Sequence, residues 1–293
     1  MGEAVTWTVV HAAEVLRAPT ASDDKYSRGV VGMRTGSDTY PGAAMLGVEA
    51  AWRTGVGMVR YLGATRPTEL VLRRRPETVT ADGRVQAWVI GSGMDAAARE
   101  AHETRAQRGI LTGRLPVVVD AGALDLVSGS VAPCVITPHA REHAALRAAI
   151  GLPAADAQDE QARIAAARQT AAALNVAVLL KGAVTIVATP AGWTARVDQT
   201  SPWLATAGTG DVLAGVLGAL VAGAQAQRER AGAGDGLDAE ALGPIAATAA
   251  WLHGGAGMVA AHRAGAGRPG PIVALDVADA LPRAVAEALA AAS

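Results

Sequence analysis

The sequence predicts an α/β protein with a mostly parallel central sheet covered by helices on both faces. Three observations carry this. Short apolar runs alternate with amphipathic stretches along the chain, as strands and crossover helices do. VVVD (117–120) and AVLLKG (177–182) are apolar without alternation, as strands buried on both faces are. One pair of runs is joined by the short Pro190-Ala191-Gly192 turn, which reads as a hairpin and makes the sheet mixed at one edge.

In order, strands are expected at 57–63, 85–91, 115–121, 133–138, 176–182, 184–190 and about 193–197. Helices are expected at 42–54, 95–108, 141–150, 158–174, 211–224, 243–263 and 276–291. The polar, Gly-rich stretch 225–241 reads as a mobile loop between two helices. With no linker in sight, residues 1–293 read as one catalytic domain, and residues 1–24 as an N-terminal extension without an assignable role.

Composition narrows the function classes. A net charge of −1 and the lack of a long basic block argue against general nucleic-acid binding. The run Arg73–Arg75 reads as a solvated face. The lone Cys134 excludes an intramolecular disulfide and reads as core. The most apolar segment, 212–224, reads as too short for a bilayer, and no secretory leader is evident, so a soluble cytoplasmic protein is expected. There are 24 arginines but only two lysines, Lys25 and Lys181, which hints that a retained lysine does something arginine cannot.

The strongest chemical signal is ATAGTGDVLAGVLGAL (205–220). Gly208, Thr209 and Gly210 open an apolar helix, where unpaired backbone N–H groups and the helix dipole favour phosphate. Asp211 would share that place as a proton acceptor, or would simply cap the helix. Lys181 ends a strand, where open α/β sheets put ligands, or sits on a tight hairpin at the surface. In VITPHAREHAAL (135–146), Thr137, Pro138 and His139 end another strand before a helix carrying Glu142. His139 and His143 have metal-ligand spacing, but no third ligand is near, so a metal is not expected. Gly91 and Gly93 form a shortened dinucleotide-type turn, and Asp120 ends a buried strand where it faces a ligand or caps a turn. Gly42 and Ala43 leave room for a flat ring or serve tight packing.

Taken together and in order, YPGAAMLGVEAAWRTGVGMV (40–59), VIGSGMD (89–95), VVVDAGAL (117–124), VITPHAREHAAL, LLKG (179–182) and ATAGTGDVLAG (205–215) resemble the ADP/ATP-dependent NAD(P)H-hydrate dehydratases. The resemblance runs over about residues 25–291, and the pairing of TPHxxE with GTGDxLAG is its most specific part. It implies a ribokinase-like three-layer α/β/α sandwich, often assembled as a homotetramer. It implies substrate contacts at Ala43, Gly93, His139 and Asp211, with Asp211 catalytic. Nucleotide contacts are implied at Lys181, Gly182, Ala183, Val184 and Thr185, and at Gly208, Thr209 and Gly210. It further implies Mg²⁺ with ADP or ATP, hydrated NADH or NADPH as substrate, and an NAD(P)H-hydrate epimerase as functional partner. A small-molecule kinase of the same fold, acting on a thiazole or pyrimidine alcohol, is the competing reading. Three features depart from the family pattern: Ala207 replaces a glycine, Ala140-Arg141 replaces Pro-Gly, and Arg34 stands in a turn of small residues.

Overall fold

The computed structural model describes residues 3–232 and 236–291. Among these, nine strands form one sheet in the order β1-β9-β8-β7-β6-β5-β4-β2-β3. The strands are β1 (Val5–Thr6), β2 (Val30–Arg34), β3 (Met58–Tyr61), β4 (Ala87–Ile90), β5 (Val117–Val119), β6 (Cys134–Ile136), β7 (Ala177–Leu180), β8 (Thr185–Ala188) and β9 (Thr194–Val197). Every pairing is parallel except those of β8 with β7 and β9, so the expected hairpin exists and β8 alone among the described strands runs backward.

The helices are α1 (Val9–Val15), α2 (Pro41–Thr54), α3 (Thr65–Arg74), α4 (Ala101–Leu111), α5 (Ala140–Ala149), α6 (Glu160–Leu174), α7 (Thr209–Arg230), α8 (Leu242–Ala264) and α9 (Ala274–Ala290). Strand side chains alternate between two cores. Val89, Val118, Val135, Leu179 and Val187 face α2, α7 and α8. Ile90, Val119, Ile136, Leu180 and Ile186 face the layer of α4, α5 and α6. The period of two thus fills both faces of a buried sheet, which is why these runs look uniformly apolar in sequence.

Several elements differ from expectation. Residues 5–15, given no role by the sequence, add edge strand β1 to β9 and pack α1 on α8 and α9. Helix α3 was not expected; it buries Pro67 and Val71. The Arg73–Arg75 run is not simply solvated, because Arg74 and Arg75 reach the fully buried Glu49 carboxylate. Helix α4 begins at Ala101, since residues 95–100 form turns.

Helix α7 runs to Arg230, so 225–230 are helical rather than loop; residues 233–235 of the expected loop lie outside the described residues. Its 22 residues make it long and apolar enough to cross a membrane, against the expectation of a segment too short. Burial decides its place: 72% of its most apolar window is inside the fold, beneath β2 and β4.

Candidate functional site

The C-terminal ends of β4, β5, β6 and β7 are adjacent, and each is followed by a polar side chain: Ser92, Asp120, Thr137 and Lys181. These four meet. Asp120, only 3% exposed, accepts hydrogen bonds from Ser92 Oγ (2.9 Å), Thr137 Oγ1 (2.7 Å) and Lys181 Nζ (3.1 Å). Lys181 Nζ also lies 3.8 Å from Glu142 Oε2 on α5. Burial works against the Lys181 charge, but Asp120, Glu142 and Asp211 outweigh it and raise the ammonium pKa.

Helix α7 starts beside this cluster. Gly208 adopts φ +88°, which turns the chain into the helix at little cost only for glycine. The Thr209 hydroxyl donates to the carbonyls of Leu204 (2.9 Å) and Thr206 (3.0 Å), fixing that turn. Among the described residues no side chain caps α7, so the N–H groups of its first turn are open to an anion. Asp211 is therefore not the N-cap; it stands at the third helical position. Burial, and then the nearby Asp120 charge, push its carboxyl up to about 7, with Lys181 opposing.

A cavity of about 710 Å³ opens beside Lys181. The β7–β8 turn lines it with Lys181, Gly182, Ala183 and Thr185; α7 lines it with Thr209 and Gly210. His139 and the segment Gln199–Thr206 complete much of the wall. Six of the eight sequence-assigned nucleotide residues thus share one cavity. The other two do not line it: the Val184 carbonyl accepts from Arg163, and a Cβ on Gly208 would point at Leu46 and Ala274.

His139 is a helix cap. Its Nδ1 accepts from the backbone N–H of Arg141 and Glu142, while Glu142 accepts from the His139 N–H at 2.7 Å. His143 turns away into the core against Thr170 Oγ1 (2.9 Å), where burial pushes its pKa down to about 4. The two histidines do not converge. Among the described residues no group of three or more His, Cys, Asp or Glu forms a metal cage.

Ala43 and Gly93 touch: a Cβ on Gly93, which has φ +66°, would fall 2.2 Å from the Ala43 Cβ. One turn along α2, Gly47 packs on the Asp211 backbone and Leu46 on Gly208. The first turn of α2 therefore runs from Gly93 toward Asp211. A second cavity, about 270 Å³, lies on the far side of Gly93, between residues 36–40 and 94–103. Arg34, the unexpected residue, forms a two-pronged pair with Glu103 in its wall.

His253 on α8 was missed by the sequence reading. Its ring lines the larger cavity beside Thr209, and its Nε2 is buried without a hydrogen-bond partner among the described residues. Burial pushes it down to about 4, so it is neutral. The only sequence signal is a single histidine in an otherwise apolar, small-residue helix, WLHGGAG (251–257).

The cavity at the strand ends, beside a glycine-rich helix start bearing a carboxylate, sits on a ribokinase-like fold. A ribokinase-like superfamily protein from Enterococcus faecalis has the same fold, with a TM-score of 0.75 at 21% identity over 97% of this chain and 96% of its own. The sequence model of the NAD(P)H-hydrate dehydratase family matches residues 31–281, and the chain belongs to that family. It is 33% identical to an ADP-dependent (S)-NAD(P)H-hydrate dehydratase of Neisseria meningitidis, over 88% of this chain and 86% of the relative. It is 44% identical over 216 residues to the bifunctional NAD(P)H-hydrate repair enzyme Nnr of Mycobacterium tuberculosis, over 70% of this chain but only 43% of that protein. An ADP/ATP-dependent NAD(P)H-hydrate dehydratase from Bacillus subtilis, co-crystallized with ATP/Mg²⁺, aligns with a TM-score of 0.77 at 26% identity, covering 96% of this chain and 97% of its own. The chain spans about half the length of most of the curated relatives it matches.

Proposed function

We propose that this chain dehydrates hydrated NADH and NADPH back to the reduced cofactors, using ADP or ATP. The observation that carries the reading is Asp211, a partly buried carboxylate that titrates near neutrality, set between an uncapped helix start and the paired Ala43 and Gly93. The hydroxyl of the hydrated ring leaves poorly as hydroxide. Asp211 takes its proton as the oxygen attacks the terminal phosphate of the nucleotide, breaking the phosphoanhydride bond and releasing the nucleotide one phosphate shorter. The resulting phosphate ester is a good leaving group: the ring-nitrogen lone pair expels phosphate, and loss of a proton from the neighbouring ring carbon restores the double bond. Phosphoryl transfer of this kind needs mainly positioning and charge stabilisation. The α7 N–H groups and Lys181 hold the phosphates. Lys181, Gly182, Ala183, Val184 and Thr185, with Gly208, Thr209 and Gly210, form the nucleotide side. Ala43, Gly93 and His139 form the substrate side, with His139 on the wall of the nucleotide cavity.

Among the described residues no group of three or more His, Cys, Asp or Glu could cage a metal, and Asp120 already accepts from three donors. Mg²⁺ of the kind present with the B. subtilis protein would ride on the nucleotide phosphates and supply charge neutralisation there. We read residues 1–293 as one catalytic domain acting in the cytoplasm as a homotetramer, with an NAD(P)H-hydrate epimerase as functional partner. The bifunctional character of the M. tuberculosis relative supports a companion activity.

The test is to incubate the protein with hydrated NADH or NADPH, Mg²⁺ and either nucleotide, and to follow the return of reduced-nicotinamide absorbance. Recovery with release of phosphate is expected. Phosphorylation of a thiazole or pyrimidine alcohol without recovery of the reduced cofactor would instead make the protein a small-molecule kinase.

A further inference from the structure

Asp120 is a buried carboxylate that the reaction does not use directly, and it is held unusually firmly. Donors from three neighbouring strand ends converge on it: Ser92 after β4 on Oδ2, and Thr137 after β6 with Lys181 after β7 on Oδ1. The two hydroxyls fix its orientation, and the ammonium offsets the cost of burying its charge. Lys181 itself stands against the first turn of α7. A Cβ on Gly210 would lie 3.6 Å from its Nζ. The ammonium is therefore one residue from Asp211, yet its hydrogen bond goes to Asp120.

Two carboxylates thus compete for one lysine, and the geometry awards it to the one outside the chemistry. We propose that Asp120 is a positioning residue: by keeping the Lys181 ammonium on its own carboxylate, it prevents an Asp211–Lys181 ion pair and leaves Asp211 free to take the substrate proton. This rests on the function proposed above. A lysine parked between Asp120 and Glu142 also stays at the cavity wall, where it meets the nucleotide phosphates.

The surroundings of Asp211 support the assignment. From the strand ends it is faced by Asp120 and Lys181, the two charges that move its pKa besides burial. From α5 come Glu142, which touches Lys181, and the capping His139. From α8 comes His253, neutral. On α2, Glu49 is enclosed by Arg53, Arg74 and Arg75; on α9, Asp276 accepts the N–H of Val273. Asp120 and Lys181 are thus the pair whose removal acts on Asp211.

Asp120→Asn keeps an acceptor for Lys181 and Thr137, and its size, but loses the charge. Its expected signature is kcat lowered roughly 10–100-fold, ADP affinity within a few-fold of wild type, and an acid limb of the kcat/KM profile moved to lower pH. The sign follows because losing one negative neighbour and gaining Lys181 both favour ionised Asp211. Lys181→Gln, measured at saturating nucleotide, should move the same limb the opposite way, because it removes the cation that holds the pKa down. It also carries the test if the asparagine variant does not fold. A lower melting temperature with the acid limb unmoved in both variants would overturn the proposal and make Asp120 a tie between strand ends. Wild-type protein that fails to turn over hydrated NADH or NADPH would sink the functional reading itself, and this proposal with it.

Discussion

At Asp211, burial sets the terms. A carboxyl held near pH 7 is matched to a base that must be free at neutral pH and still strong enough to take a proton. Turnover should therefore fall as pH drops through about 7, because the protonated acid cannot accept; a flat rate from pH 8 to pH 5 would exclude Asp211 as the base. Asp211→Asn should lose roughly 10²–10⁴-fold in kcat, the usual worth of general base catalysis. Its stability should behave oppositely. The folded pKa lies above the unfolded value of 3.8, so the folded state favours the proton, and that stability is lost as pH rises through about 7. At pH 8 the asparagine variant should melt no lower than wild type, and the difference should shrink toward pH 4; a helix cap would show a loss at both. Asp211, Lys181 and His139 were legible from their places at strand ends and a glycine turn. The hold of Asp120 on Lys181 was not, because it depends on β5, β6 and β7 lying side by side, which residue types do not encode.

Among elements, α7 shows how one kind of residue plays two parts. A Cβ on Gly210 meets only Lys181 Nζ at 3.6 Å, an ordinary contact, whereas a Cβ on Gly215 would lie 2.1 Å from the Gly47 carbonyl oxygen and one on Gly218 2.3 Å from Val89 Cγ2. Gly210→Val should fold, melt close to wild type and lose most of its affinity for ADP and ATP in calorimetric titration, because its branched side chain fills the space before the helix start. Gly215→Ala should instead lose stability, since backbone cannot yield there. Equal nucleotide affinity in Gly210→Val would remove the helix start from the nucleotide site. Helix α3 was illegible for a related reason: what it buries beyond Pro67 and Val71 is the charge partnership of Glu49. Burial opposes that carboxylate's charge, yet Arg75, Arg53 and Arg74 hold its pKa down to about 2. Its contribution is present above pH 4.5 and lost as pH falls toward 2. Glu49→Ala should cost about 2–3 kcal/mol in urea unfolding at pH 7, leaving three arginines facing an empty site. A loss below about 0.5 kcal/mol would mean that solvent already screens the cluster.

Over the whole molecule, what sequence revealed was local: apolar strand runs, the hairpin, and the helices that cover the sheet. The order of strands, the placing of residues 5–15 at the far edge, and the meeting of distant segments at one end came only with the fold. That meeting has a thermodynamic consequence. The larger cavity takes its walls from the β7–β8 turn, the segment after β9, the start of α7 and the middle of α8, with Thr209 and His253 both facing it. A ligand that bridges these parts binds the folded chain and not the unfolded one, so it must raise stability by mass action. ADP at about 100 times its Kd should add about 2.7 kcal/mol, and the melting temperature should rise by several degrees and keep rising with nucleotide concentration. Asp211→Asn should show nearly the same rise if, as proposed, its carboxylate acts on the hydroxyl and not on the nucleotide, while Gly210→Val should show little. A wild-type melting temperature indifferent to millimolar ADP and ATP would mean that the cavity does not hold nucleotide. A rise lost in Asp211→Asn but kept in Gly210→Val would place the phosphates away from the start of α7.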